Sequence, residues 1–139
     1  YGWGHTRGDG YVYPPNEKII ATGDAAVNAP ANFLTDSNMR NWPEILGKVQ
    51  KLQLEQVAPG HGPLGTATVV SGQREFLSTL VREVDAARKA GKSLADLVKL
   101  EGERLVSTTV KMPDSVKTWV GPRLPVQLQE TWQQLAAAK

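Results

Sequence analysis

Three polar residues stand among glycines in this chain: His5 in "GHT", Asp24 in "TGD" and His61 in "PGHG". Two imidazoles and one carboxylate are a donor set for zinc or another borderline divalent ion. Glycine beside each one lets the backbone turn sharply, so that side chains far apart in sequence can converge. Taken singly, each residue has a plainer reading. A histidine is commonly a hydrogen-bonded structural residue, and an aspartate after glycine is commonly a turn or cap residue. It is the three together, in this order, that point to a metal site. These are the sequence's two histidines, and it contains no cysteine. Thiolate sites and disulfides are therefore excluded.

The segments around these residues predict the scaffold that must position them. Tyr11–Tyr13 reads as a strand, Pro14, Pro15 and Asn16 as a turn, and Lys18–Thr22 as a second strand that delivers Asp24 at its C-terminal end. Residues 25–37 read as a loop flanking any cleft at Asp24. Asn41 and Glu44 are spaced as a capping box for a helix over Trp42–Leu54, with Ile45, Val49 and Leu52 on one face. Gln56–Ala58 reads as a short strand that delivers His61. The strongest periodicity predicts a helix over Val69–Ala90, with Phe76, Leu77, Leu80, Val81 and Val84 toward the core, an Asp85–Lys89 pair on the other side and Gly91 as its stop. Ser93 begins a further helix to Leu105, in which Gly102 weakens the last turn. Residues 107–125 read as irregular, and Val126–Ala138 as helix. Trp42, Trp119 and Trp132 are expected to be packing anchors, while Trp3, beside His5, could line a site.

"GHTRGD", then "KIIATGD", then "VAPGHG" resembles the C-terminal half of metallo-β-lactamase-fold hydrolases, in the glyoxalase-II-like and quinoprotein-relay branch. The resemblance covers about residues 2–90; further on it is only general. It implies an α/β fold, one half of a four-layer αββα sandwich. Residues 1–139 would form one domain, with a motif-bearing part over 1–90 and a helical extension over 91–139. It also implies roles. His5 would be a ligand of the first metal, Asp24 the carboxylate bridging both, and His61 a ligand of the second. Two zinc ions about 3.5–4 Å apart would polarise a small-molecule substrate and lower the pKa of an attacking water. Thr6 and Asp9 would support the site through hydrogen bonds, or simply end a strand and shape a turn.

One departure is large. The family's HxHxDH motif is absent, and with two histidines in all, nothing here replaces it. The chain starts at Tyr1, just ahead of His5. The expectation is therefore a C-terminal half that does not catalyse alone. It would pair with a missing N-terminal half, or with a second copy of itself as a homodimer. The alternative is a non-catalytic, self-associating module that keeps vestigial ligands. Sixteen basic and 14 acidic residues leave a net charge of +2, with no basic run to engage nucleic acid. No apolar run approaches the roughly 20 residues of a membrane span. Cytoplasm and periplasm both remain open as compartments.

Overall fold

The computed structural model describes residues 1–137. Its elements run β1 (Ile19–Gly23), α1 (Trp42–Val49), β2 (Gln56–Pro59), α2 (Thr68–Lys89), β3 (Val98–Glu101), β4 (Arg104–Thr108) and α3 (Leu124–Ala137). β1 and β2 pair in parallel, with Ile20 opposite Val57 and Ala21 opposite Ala58. β3 and β4 form an antiparallel hairpin. This is the expected α/β arrangement, with helices covering small sheets.

The core grows from one face of each element. Ile20 and Val57 are fully buried on one side of the parallel pair. Trp42, Leu46 and Val49 of α1 share one core with Phe76, Leu77, Leu80 and Val84 of α2, while the expected Val81 and Leu52 are half-buried at its margin and buried Ile45 lies against Gly4. Leu124, Leu128 and Leu135 of α3 close the far side. α2 ends at a Schellman turn: the Lys92 amide donates to the Ala87 carbonyl at 3.0 Å, the Gly91 amide to Arg88 at 3.0 Å, and Gly91 has φ +73°.

Several expectations are corrected. The strand over Tyr11–Tyr13 shrinks to a single antiparallel bridge between Val12 and Ala21, because Pro14 and Pro15 have no N–H to extend a ladder. Asn41 does not cap α1. Its amide nitrogen reaches back to the Trp3 carbonyl at 2.8 Å, while Asn38 receives the Asn41 and Trp42 amides. α1 also stops at Val49, short of Leu54.

The helix expected over 93–105 is instead one 3₁₀ turn, Leu94–Asp96, followed by the β3–β4 hairpin. Ser93 and Asp96 do form a capping box, and these hydrogen bonds hold the Asp96 carboxyl below its usual range. But Thr108 Oγ1 donates to the Leu97 carbonyl at 2.6 Å and Thr109 Oγ1 to Asp96 at 2.9 Å, which pulls the chain into extended pairing. Gly102, at φ +62°, turns the two-residue hairpin loop. Over the described residues 91–137 the expected helical extension is thus hairpin and helix. A 3₁₀ turn at Asp114–Trp119 also interrupts the stretch expected to be irregular. Ala138 of the expected last helix lies outside the described residues.

Asp85 pairs with Arg40 rather than Lys89, through two bonds of 2.9 Å each. The guanidinium holds the Asp85 carboxyl below its ordinary value. A depressed carboxylate adds stability above its unfolded pKa, and that stability is lost as pH falls through the folded value. The pair is substantially solvated, so its worth is about 0.2–1 kcal/mol. Asp85→Asn should lower the denaturant midpoint slightly at pH 7. The difference from wild type should vanish in acid and shrink in high salt.

The face of the parallel pair turned away from buried Ile20 and Val57 carries Ile19, Ala21 and Ala58, with exposed Gln56 at one end. Ala21 and Ala58 are register partners there, and strand alternation puts them opposite buried Ile20 and Val57. Val12 bridges to Ala21 on one edge, and Gly65 bridges to Val57 on the other, which turns Leu64 to the same outer face. Val12 and Leu64 are each 68% exposed.

Candidate functional site

Parallel pairing brings the C-terminal ends of β1 and β2 side by side, and the loops leaving them interlock. The Gly60 amide donates to the carbonyls of Gly23 at 2.9 Å and Ala26 at 3.1 Å, and the Asn28 backbone amide donates to the His61 carbonyl at 2.8 Å. Thr22, buried beneath, donates its hydroxyl to Ala26 at 3.0 Å. Asp24 and His61 emerge together at this end: Asp24 Oδ1 lies 3.3 Å from His61 Nε2. Their side chains are 42% and 50% exposed, open to an incoming ion or substrate.

Glycine is required where the loops cross. A Cβ on Gly60 would overlap Asp24 Oδ1 and the Gly23 backbone, and one on Gly62, at φ +86°, would enter the Asn28 carbonyl. Gly60→Ala should therefore destabilise the fold by about 1–3 kcal/mol and drive Asp24 away from His61. A thermal melt, together with the shift of the His61 imidazole protons by NMR, checks both effects.

His5 sits in a separate turn. Asp9 organises it, accepting the His5 amide at Oδ2 and the Thr6 amide at Oδ1, each at 2.7 Å, and the Thr6 hydroxyl at 2.8 Å. The Asp9 side chain is only 3% exposed, and these donors compensate its buried charge. His5 Nδ1 lies 3.8 Å from Asp9 Oδ1, beyond hydrogen-bond range. Asp9 and Thr6 thus shape the turn that carries His5. Burial and the Asp9 charge together push the nearby Tyr11 phenol well up, so it stays protonated. Asn38 and Asn41 hold the approach to His5 through the Gly4 and Trp3 carbonyls.

The structure therefore joins Asp24 to His61 and leaves His5 with Asp9. Among the described residues, no three His, Asp or Glu side chains gather closely enough to hold a metal ion. A groove of about 520 Å³ between α1 and α2, bordered by Arg40, Glu44 and Arg82, contains none of the candidate ligands. Trp3 carries Arg7 over its ring at 3.9 Å and donates its N–H to the Asp36 carbonyl at 2.7 Å. Trp42 and Trp119 are buried anchors, as expected.

Sequence reasoning missed what holds the loop after Asp24. The Trp119 indole N–H donates to the Val27 carbonyl at 2.7 Å, and the Gln127 amide to Asn32 at 3.0 Å. Gln73 receives the Val27 amide at 3.1 Å and donates to Asn32 Oδ1 at 2.7 Å. Glutamines within apolar helix faces are the signal for such contacts: a buried amide needs partners.

No protein-family model and no curated protein matches the sequence. Solved structures do. VMB-1, in a crystal structure at pH 5.5, is 28% identical over 56% of this chain and 38% of its own, with a TM-score of 0.53. A metallo-β-lactamase from Pontibacter korlensis is 29% identical over 55% of this chain and 38% of its own, with a TM-score of 0.51. The inverting sec-alkylsulfatase Pisa1 from Pseudomonas sp. matches 96% of this chain and 23% of its own at 16% identity, with a TM-score of 0.66, a likeness of fold alone. This chain thus spans well under half the length of each. Its α/β architecture is that of a part of the metallo-β-lactamase fold.

Proposed function

We propose that this chain is the C-terminal half of a zinc-dependent hydrolase of the metallo-β-lactamase superfamily, in the glyoxalase-II-like and quinoprotein-relay branch. It would furnish part of the metal site and no catalysis by itself. The approach of Asp24 to His61, 3.3 Å apart at the ends of two parallel strands, carries this reading. A half-exposed carboxylate and imidazole suit the borderline character of zinc. Asp24 would serve both metals, His61 the second and His5 the first, with the other ligands coming from protein outside this sequence. Zinc would supply Lewis-acid polarisation of a small-molecule substrate and a more acidic water. Thr6 and Asp9 would hold His5 in place; the Asp24–Asn28 turn and Gly60 would hold the pair.

The mainly apolar outer face of β1 and β2, with Val12 and Leu64 exposed, supports a partner on that side, because exposed apolar side chains favour association. The occupant we favour is the N-terminal half. The same face would also serve a second copy of the chain, the basis of the alternative, non-catalytic reading.

Mixing the purified chain with an HxHxDH-bearing N-terminal segment from a metallo-β-lactamase-fold hydrolase tests the proposal. Elemental analysis should find about two zinc ions per complex, with hydrolysis of a thioester or β-lactam, and the chain alone should show neither. A complex without zinc or turnover would overturn it, as would full activity in the solitary chain. Sedimentation separates the second reading: a zinc-free symmetric dimer favours self-association, and a compact cooperative monomer excludes it.

A further inference from the structure

We propose that Trp42 is the positioning residue that ties His5 to the Asp24–His61 pair, an inference that rests on the hydrolase-site reading above. The two ligand-bearing segments belong to different turns, and the backbone ties between them, such as the Val12–Ala21 bridge and the Asn38–Gly4 hydrogen bond, lie away from Asp24 and His61. Trp42 touches both. Its ring centroid lies 5.4 Å from that of His5, at an interplanar angle of 56°. Its indole N–H donates to the carbonyl of Ala25, the residue after Asp24, at 2.9 Å. The indole is fully buried at the first turn of α1, so it cannot swing between alternatives.

The backbone entering His5 is also moulded on this ring. A Cβ on Gly4 would stand 3.1 Å from Trp42 Cδ1 and 3.0 Å from Asp9 Oδ2, so any larger residue directly before the histidine would press on both. The Gly4 carbonyl accepts the Asn38 amide at 2.8 Å, and the Asn38 carbonyl accepts the Trp42 amide at 2.8 Å, so the segment is tied to the start of the helix that bears the indole. Tryptophan suits this place because one rigid side chain offers a flat face on one side and a donor on its edge. Phenylalanine could present the face to His5 but could not grip Ala25. Leucine could do neither.

The test uses the whole chain, labelled for NMR, where two histidines give two resolvable imidazole signals. In wild type the His5 ring protons should be displaced by the indole ring current and those of His61 should not. Trp42→Phe should keep part of that displacement while moving the Asp24 and His61 amide signals, because Ala25 loses its donor. Trp42→Leu should abolish the displacement and move the amides as well. Val84→Ala, an equally buried change in α2, should leave both sets where they are. In the complemented protein, Trp42→Phe should weaken Zn²⁺ binding about 10–100-fold, the range typical of outer-sphere supports, read by competition with a chromophoric chelator.

The inference is overturned if Trp42→Phe leaves the Asp24 and His61 amides unmoved, or if Trp42→Leu leaves the His5 ring protons unmoved. It is overturned equally if Val84→Ala reproduces either pattern. Failure of the wild-type complex to take up Zn²⁺ would sink the hydrolase reading instead, and the metal-free shifts would still decide the role of Trp42.

Discussion

Asp24→Asn, introduced into the complemented protein, is expected to abolish hydrolysis and strip the second zinc while leaving the fold intact. Asparagine has the size and shape of aspartate and can still donate to or accept from its neighbours. It has no negative charge, and a neutral amide oxygen cannot bridge two dications. The side chain is 42% exposed, and surface changes of this kind usually fall within about 0.5 kcal/mol. The metal-free proteins should therefore match in stability, and the loaded complex should lose only what the departed zinc contributed by binding. Zinc affinity should fall by more than the roughly 10–100-fold typical of changing an outer-sphere partner, since this group would bind the metal directly. Bound zinc by elemental analysis, turnover and the thermal midpoint should be measured on one sample. His61→Ala should mimic the loss of zinc. Undiminished turnover in Asp24→Asn would remove Asp24 from the site.

Trp119→Ala is expected to cause the largest loss of stability, about 3–5 kcal/mol, by the rule for deleting buried aromatic rings. Against a typical total of about 5–15 kcal/mol, such a loss approaches unfolding. Two contacts underlie it. The ring lies directly over Gly72 of α2, where any Cβ would collide with it. Its N–H satisfies the buried Val27 carbonyl at 2.7 Å, and an orphaned buried acceptor costs about 1–3 kcal/mol by itself. Trp119→Phe should isolate that second part. Denaturant unfolding gives the magnitudes. Limited proteolysis should show residues 25–38 cut faster in both variants, since Val27 is one of the points at which that loop is held. A Trp119→Ala chain with wild-type stability and an uncut loop would show that the C-terminal segment does not restrain the loop.

This dependence explains why residues beyond 90 matter although their motif resemblance is weak. Trp119 and Gln127, together with Gln73 of α2, hold the Val27 and Asn32 backbone groups of the loop that follows Asp24. None of these contacts is local, so no spacing in the sequence announces them.

Local physics was legible from residue order alone. Phe76, Leu77, Leu80 and Val84 repeat at helical spacing along a 22-residue helix, and Gly91 stops it, because a left-handed φ suits glycine. The β1 and β2 strands and the glycine turns after them were equally readable, as was the fact that Asp24 and His61 would leave strand ends. Where local signals balance, they failed. Leu94, Leu97, Val98 and Leu105 fit helical spacing, yet their neighbours Val106, Ser107, Thr108 and Thr109 favour extended pairing, and hydrogen bonds from the threonines decided for a hairpin. Asn41 and Glu44 have the spacing of a cap, but the Trp3 carbonyl competes for the Asn41 side chain. Asp85 could have reached Lys89 one turn along, but Arg40 offers a bidentate fork.

The candidate donors were named by the sequence itself: His5, Asp24 and His61, each with an adjacent glycine, and no thiolate. Which of them meet was decided only by tertiary structure. Parallel pairing sets β1 against β2 in a register that no single strand encodes, and that register alone brings Asp24 to His61. The link to His5 passes through Trp42, whose ring reaches one segment and whose N–H reaches the other. Side-chain identity belongs to the chain, but convergence depends on long-range burial and hydrogen bonding, which act only once the elements have packed.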